Sequence, residues 1–180
     1  MEQKWYRLSI YDITEIAILV AFAVILDLPG LKIKLSAGPG SISLTMVPLI
    51  LLALRFNMFK SFIGIGIVYG LITNIIDGYG FITFPLDYLL GYGSLALISL
   101  FRPEKHAQLT LKRILLISLG VFLGGAFRIL FSTISGVLLY SYTFIASFLY
   151  NLPLIGISLA ASFLLVIITY PLMHKHLQNI

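Results

Sequence analysis

The run KRILLISLGVFLGGAFRILFSTISGVLLY, residues 112–140, holds a single ionisable residue, Arg128, once its opening Lys112-Arg113 pair is passed. The rest is apolar for long enough to cross a bilayer, whose hydrocarbon core of about 30 Å needs about 20 apolar helical residues. Runs of the same character lie at about 11–29, 42–56, 60–77, 83–101 and 143–173, so six segments come near the requirement. The second and third are short or rich in glycine, and the last two are long enough to tilt, kink or protrude. Pro29-Gly30, Gly38-Pro39-Gly40, Asp77-Gly78-Tyr79-Gly80 and Arg102-Pro103-Glu104 all fall between the runs, as turn-forming residues should. The expected fold is an all-α membrane protein: six transmembrane helices in a compact bundle, one domain over residues 1–180.

Composition agrees, with 59% hydrophobic and 11% charged residues against roughly 25% charged in a soluble domain. The net charge of +5 sits in short connections between apolar runs, which speaks for membrane topology and against nucleic-acid binding. With both termini cytoplasmic, the inner side receives nine basic residues: Lys4, Arg7, Arg55, Lys60, Arg102, Lys105, Lys112, Arg113 and Lys175. The outer side receives two, Lys32 and Lys34, and the twelfth is Arg128 within its span. His106, His174 and His176 also fall on the inner side, away from any site that opens outward. The opening MEQKWYRLSIYD is polar and aromatic, and the run after it carries Glu15 and Asp27 without a small-residue cleavage pattern, so no removable signal peptide is expected.

The absence of cysteine excludes disulfides, thiol nucleophiles and thiolate-bound metals. No metal cluster, no nucleophile with its base and no phosphate-cradling loop is visible, so neither an enzyme nor a bound cofactor is expected. No period of 20 to 50 residues repeats and no inverted pair of segments stands out. Six short helices leave little room for a gated path of their own, and a binding subunit fits better than a self-sufficient carrier, channel or pump.

An ionisable group in a bilayer costs several kcal/mol unless paired or hydrated, which makes each one a candidate. Asp77, in IIDGYGF, reads as a solvated turn aspartate, Asp27 as a hydrated residue at a helix end, and Glu15 as an interfacial one. Asp87 and Arg128 remain. On a regular helix Phe84, Asp87, Tyr88, Gly91 and Tyr92 share one face. An acid among aromatic rings, with a glycine making room, suits a flat cationic or amide-rich ligand; the alternative is an interfacial aromatic belt with a structural ion pair. Arg128 reads first as a fixed partner for a carboxylate such as Asp87, holding helices in register beside a pocket, and second as a ligand contact. The small-residue pairs Ala17/Ala21, Gly66/Gly70 and Gly120/Gly124 each permit close helix packing.

Several segments together carry a family resemblance: EIAILVAFAVIL (15–26), GSISLTMVPLILLALRF (40–56), FPLDYLLGYGSLALISL (84–100), FRILFSTISG (127–136) and SFLYNLP (147–153). The chain resembles the membrane-embedded S components of energy-coupling factor (ECF) vitamin transporters, and most of all their thiamine-specific branch. GSISL followed by Met46-Val47-Pro48, and the spacing of Arg128 to Gly136, are the most specific parts. The resemblance implies a vitamin site near the outer surface of a bacterial cell membrane, capped by the loop LKIKLSAGPGS, residues 31–41. It also implies partners: a transmembrane scaffold subunit, which would dock on Ala17 and Ala21, and two ATPase subunits.

The family's site residues transfer in part. Its acid-tyrosine pair in the fourth span reads Gly91-Tyr92 here, its histidine four residues after the arginine reads Ser132, and its later tryptophan reads Tyr140. Its tyrosine and asparagine of the sixth span read Ala146 and Asn151. The implied site is thus Asp87, Tyr88, Gly91, Tyr92, Arg128, Ser132, Tyr140 and Asn151, with Asp87 supplying the carboxylate that Gly91 cannot. Thiamine is the first ligand this suggests; a related ring such as hydroxymethylpyrimidine or pyridoxine is the alternative.

Overall fold

A computed structural model of the chain describes residues 7–34, 40–103 and 110–177, without the side chains of Lys34 and of 171–177. Lys4, the loop centre from 35 to 39, Glu104, Lys105 and His106 lie outside the described residues, as do the side chains of His174, Lys175 and His176. Six helical segments follow in order: α1 (Ile10–Leu26), α2 (Met46–Arg55), α3 (Met58–Asp77), α4 (Phe81–Phe101), α5 (Leu111–Tyr140) and α6 (Phe144–Leu177). Between α1 and α2 a small antiparallel hairpin pairs β1 (Ile33–Lys34) with β2 (Ser41–Ile42), Ile33 facing Ile42.

Four of the helices, Met58–Asp77, Phe81–Phe101, Leu111–Tyr140 and Phe144–Tyr170, are long and apolar enough to cross a membrane. At a rise of 1.5 Å per residue, α1 with 17 residues is about 25 Å long and α2 with 10 about 15 Å. The second expected segment, 42–56, is therefore shortened: its first residues enter the hairpin, and the helix starts at Met46. The outward faces carry bare apolar side chains, among them Ile75, Phe122, Leu111 and Ile168, which suits contact with lipid and not with water.

Local chemistry sets the ends. Ser9 and Asp12 form a reciprocal capping box at the start of α1, Asp12 N donating to Ser9 Oγ at 3.1 Å and Ser9 N to Asp12 Oδ2 at 2.9 Å. Gly78 ends α3 in a left-handed conformation (φ 72°), the conformation that glycine adopts without strain. Helices α3 and α4 are irregular in the middle. Ile63–Tyr69 and Phe84–Tyr92 run as π-helix, and Gly93–Phe101 as 3₁₀-helix. The glycines here serve packing: a Cβ on Gly66 would meet Leu89 O at 2.9 Å, and one on Gly124 would meet Ser94 O at 3.2 Å. Ser94 Oγ reinforces the second contact, donating to Gly91 O at 2.7 Å and Gly124 O at 2.9 Å, so α4 is fastened to α5.

The core of Leu49, Ile50, Leu52, Ile65, Leu95 and Ile98 is fully enclosed where α2, α3 and α4 meet. At one pole, Lys60 Nζ binds Asp12 Oδ2 at 2.6 Å and Arg55 Nε binds Glu15 Oε1 at 2.7 Å, tying α1 to α2 and α3. The interfacial Glu15 of the sequence reading thus has a definite partner. At the opposite pole the ends of α1, α3 and α5 and the starts of α4 and α6 surround a polar cavity.

Candidate functional site

The cavity encloses about 180 Å³ of water-accessible space; a single water takes about 10–15 Å³ of such space, so a small organic molecule has room. Each wall comes from a different element. The end of α1 and the loop after it bring Asp27, Lys32, Gly40 and Ser41; the end of α3 brings Asp77, with Tyr79 beyond it. Helix α4 presents Thr83, Asp87, Tyr88 and Tyr92; α5 presents Arg128, Ser132, Ser135, Gly136 and Tyr140; α6 presents Ser147, Tyr150, Asn151, Leu154 and Ile155.

Of the eight residues expected at the site, seven line this cavity: Asp87, Tyr88, Tyr92, Arg128, Ser132, Tyr140 and Asn151. Gly91 does not. It is buried against α5, where a Cβ would meet Leu86 O at 3.0 Å and Ser132 Oγ at 3.8 Å. Phe84, expected on the same face, stacks on Phe81 instead, with centroids 5.1 Å apart. Phe84–Tyr92 runs as π-helix, with more residues per turn than the α-helical spacing that places these residues on one face, so different residues align. Ala146 is exposed, whereas Tyr150, one turn on, lines the cavity and accepts a hydrogen bond from Gly40 N at 2.8 Å.

Arg128 is buried at 9% exposure, and its guanidinium carbon sits 3.7 Å from the centroid of the Tyr92 ring. No carboxylate of the described residues lies within 4.0 Å of it, which corrects its reading as a fixed partner of Asp87. The helices are held in register by other means, and Nε and Nη1 have no hydrogen-bond partner among the described residues. A cation–π contact contributes about 0.5–2 kcal/mol, yet it leaves those N–H groups unsatisfied. The ring beneath is itself fixed: Tyr69 meets Tyr92 edge-on at 4.9 Å, and the Tyr88 ring lies 6.1 Å from it.

Asp87 accepts a hydrogen bond from the Ser135 hydroxyl and has no cation within 4.0 Å among the described residues. Asn151 is oriented by donating its amide hydrogens to Ser147 O at 3.0 Å and Ser147 Oγ at 3.4 Å. Ser147 in turn donates to Thr133 O at 3.0 Å, bridging α6 to α5.

Asp27, Lys32 and Asp77 were not expected here. Asp27 is 8% exposed, not hydrated, and Asp77 is no free turn residue. Lys32 Nζ reaches Asp27 Oδ1 at 3.5 Å and Asp77 Oδ1 at 3.2 Å; Tyr69 and Tyr88 donate to the opposite carboxylate oxygens at 3.4 and 3.0 Å. Burial works against the charge on Lys32, but the two carboxylates outweigh it and hold the ammonium above the ordinary lysine range. Burial and the neighbouring Asp77 likewise push the Tyr79 phenol up. A lysine five residues after an acid, on the same side as a second acid at another helix end, is the sequence signal for this group. No set of three or more metal-ligating side chains occurs among the described residues.

A polytopic helical bundle with a pocket of fixed charges and aromatic rings has room and chemistry for a small polar molecule. Comparison with known proteins makes the class specific. Residues 13–180 match the model of the thiamine transporter protein family, and the chain belongs to that family. It is a family of transporters and not of enzymes. The chain is 30% identical over 138 residues to the thiamine transporter ThiT of Bacillus subtilis (strain 168), covering 70% of this chain and 69% of that protein. A solved structure of ThiT from Listeria monocytogenes shares the fold with a TM-score of 0.69 and 22% identity, covering 92% of this chain and 94% of that one.

Proposed function

We propose that this protein is the substrate-binding S component of an ECF-type, ATP-dependent vitamin importer, and that it binds thiamine in the cavity between α4, α5 and α6. In this reading the chain crosses a bacterial cell membrane six times with both termini in the cytoplasm, and the cavity opens outward. The observation that carries it is the charge of the lining: three carboxylates, Asp27, Asp77 and Asp87, against two cations, Lys32 and Arg128. One net negative charge in a low-dielectric site calls for one positive charge on the ligand, and the thiazolium ring of thiamine supplies it. Asp87 would face that ring, Tyr92 and Tyr140 would give it aromatic surface, and Asn151 would accept from an amino group.

Energy would come from elsewhere. Ala17 and Ala21 lie on an exposed face of α1, which would serve as the docking face for a scaffold membrane subunit carrying two ATPase subunits. Gly91, standing where the family has an acid, supports a second reading in which the ligand is a related ring such as hydroxymethylpyrimidine or pyridoxine. Native mass spectrometry of the detergent-purified protein separates the two by the mass of the co-purified molecule. Proteoliposomes then test the coupling. Uptake should appear only when scaffold and ATPases are added, and accumulation by the protein alone would refute the assignment in favour of a stand-alone carrier.

A further inference from the structure

The three carboxylates of the cavity are not equivalent. Asp27 and Asp77 each give one oxygen to Lys32 and the other to a tyrosine hydroxyl, so both are fully engaged within the protein. Asp87 has a serine hydroxyl and no cation within 4.0 Å among the described residues. Lys32 itself is almost enclosed, with 10% of its side chain exposed, as is Asp27, while Asp77 keeps 20%. A buried ammonium held by two carboxylates is a fixed part of the wall, and the paired arrangement is worth keeping only while all members are present.

From this we infer that Lys32 is the specificity-determining residue for ligand charge: it acts as a resident cation that holds the lining at one net negative charge and restricts the cavity to monocations. The inference rests on the thiamine reading and adds to it a residue outside the expected site. Without Lys32 the lining would hold three carboxylates against Arg128 alone, two net negative charges in place of one. A dicationic ligand would then gain relative to a monocation. A purely structural lysine, by contrast, would weaken both ligands alike when removed.

The test compares two probes on the full-length protein in detergent: thiamine, and its aminoethyl analogue, in which an ammonium replaces the terminal hydroxyl to give a dication. Calorimetric Kd values are measured for the wild type, Lys32→Met and Lys32→Met/Asp77→Asn. The wild type should prefer thiamine, and Lys32→Met should shift the ratio of the two Kd values toward the dication by at least about tenfold, or about 1.4 kcal/mol. The double variant restores one net negative charge and should return the ratio to that of the wild type. The double variant removes one of the two carboxylates that lose their lysine, and Asp27 keeps its Tyr69 contact. Should Lys32→Met not fold, Asp77→Asn alone, which keeps Lys32 and leaves the lining neutral, carries the test. A ratio moved at least about tenfold away from the dication then supports the inference, and an unchanged ratio overturns it. An unchanged ratio in Lys32→Met with thiamine still bound by the wild type overturns the inference alone. Binding of neither probe by the wild type overturns the thiamine reading, and the inference with it.

Discussion

Asp87→Asn is the sharpest probe of the cavity, because it removes one charge while leaving the volume and the Ser135 contact in place. Asparagine can still accept from that hydroxyl, so the fold around α4 and α5 should not change. At 4 Å and an effective dielectric of about 20, opposite unit charges attract by about 4 kcal/mol. Desolvation of the ligand cation offsets part of this, and the remainder of about 1.4–3 kcal/mol corresponds to a loss of tenfold to somewhat over a hundredfold in affinity. Among the described residues no lysine or arginine lies within 4.0 Å of Asp87 to neutralise its charge, so the remainder should appear in the measurement. Titration calorimetry with thiamine and with the neutral hydroxymethylpyrimidine fragment gives the comparison. Thiamine should weaken at least about tenfold and the fragment by less than about twofold. Equal losses for the two ligands, or none for thiamine, would refute the assignment of Asp87 as the carboxylate facing the cation.

Three further expectations follow from the packing and from the exposed face of α1. Tyr92→Phe should preserve stability, since the ring that supports Arg128 remains, whereas Tyr92→Leu removes the cation–π contact and should cost about 0.5–2 kcal/mol in detergent unfolding. A Cβ at Gly136 would collide with Ser147 Oγ between α5 and α6, so Gly136→Val should destabilise by about 1–3 kcal/mol in detergent unfolding; Gly156→Ala meets nothing within 4 Å and should be neutral or stabilising by about 0.5–1 kcal/mol. Ala17→Trp, on the exposed face of α1, should leave the Kd for thiamine unchanged and abolish uptake in proteoliposomes containing the complete transporter.

The helices were legible in the sequence where the physics is local. Residues 111–140 form one helix because nothing in the run interrupts it, and Gly78 and the Pro29-Gly30 turn stop helices where sequence says they should. The hairpin was not legible, since two-residue strands leave no alternation to read. Nor was the irregularity of α4: FPLDYLLGYG has the composition of an ordinary helix apart from Pro85, and only its fit against Gly66 and Gly70 of α3 accompanies the π-helical turns. That shift explains why Asp87, Tyr88 and Tyr92 reach the cavity while Phe84 and Gly91 do not. Asp27 and Asp77 escaped for a different reason. A carboxylate at a helix end is normally hydrated, and its burial here depends on Lys32, which arrives from a loop that local patterns cannot place.

Ion pairs at both poles fix α1, and those at the second pole also line the cavity. At one pole Asp12 and Glu15 bind Lys60 and Arg55, and at the other Asp27 binds Lys32 and Tyr69, so the helix is tied to α2 and α3 near its start and to α3 and the following loop near its end. Its buried stripe, Ile16, Val20 and Ala23, packs into the core between these anchors. The opposite face, with Ala17, Ile18, Ala21 and Phe22, is left bare and nearly flat at the two alanines. A helix held at both ends cannot roll to cover that face, and small residues one turn apart let another helix approach closely without rearrangement. On the proposed function, ligand recognition and partner docking would fall on opposite sides of one helix: Asp27 lines the cavity, and Ala17 and Ala21 are exposed on the outer face. A variant at either place should therefore change one property and spare the other.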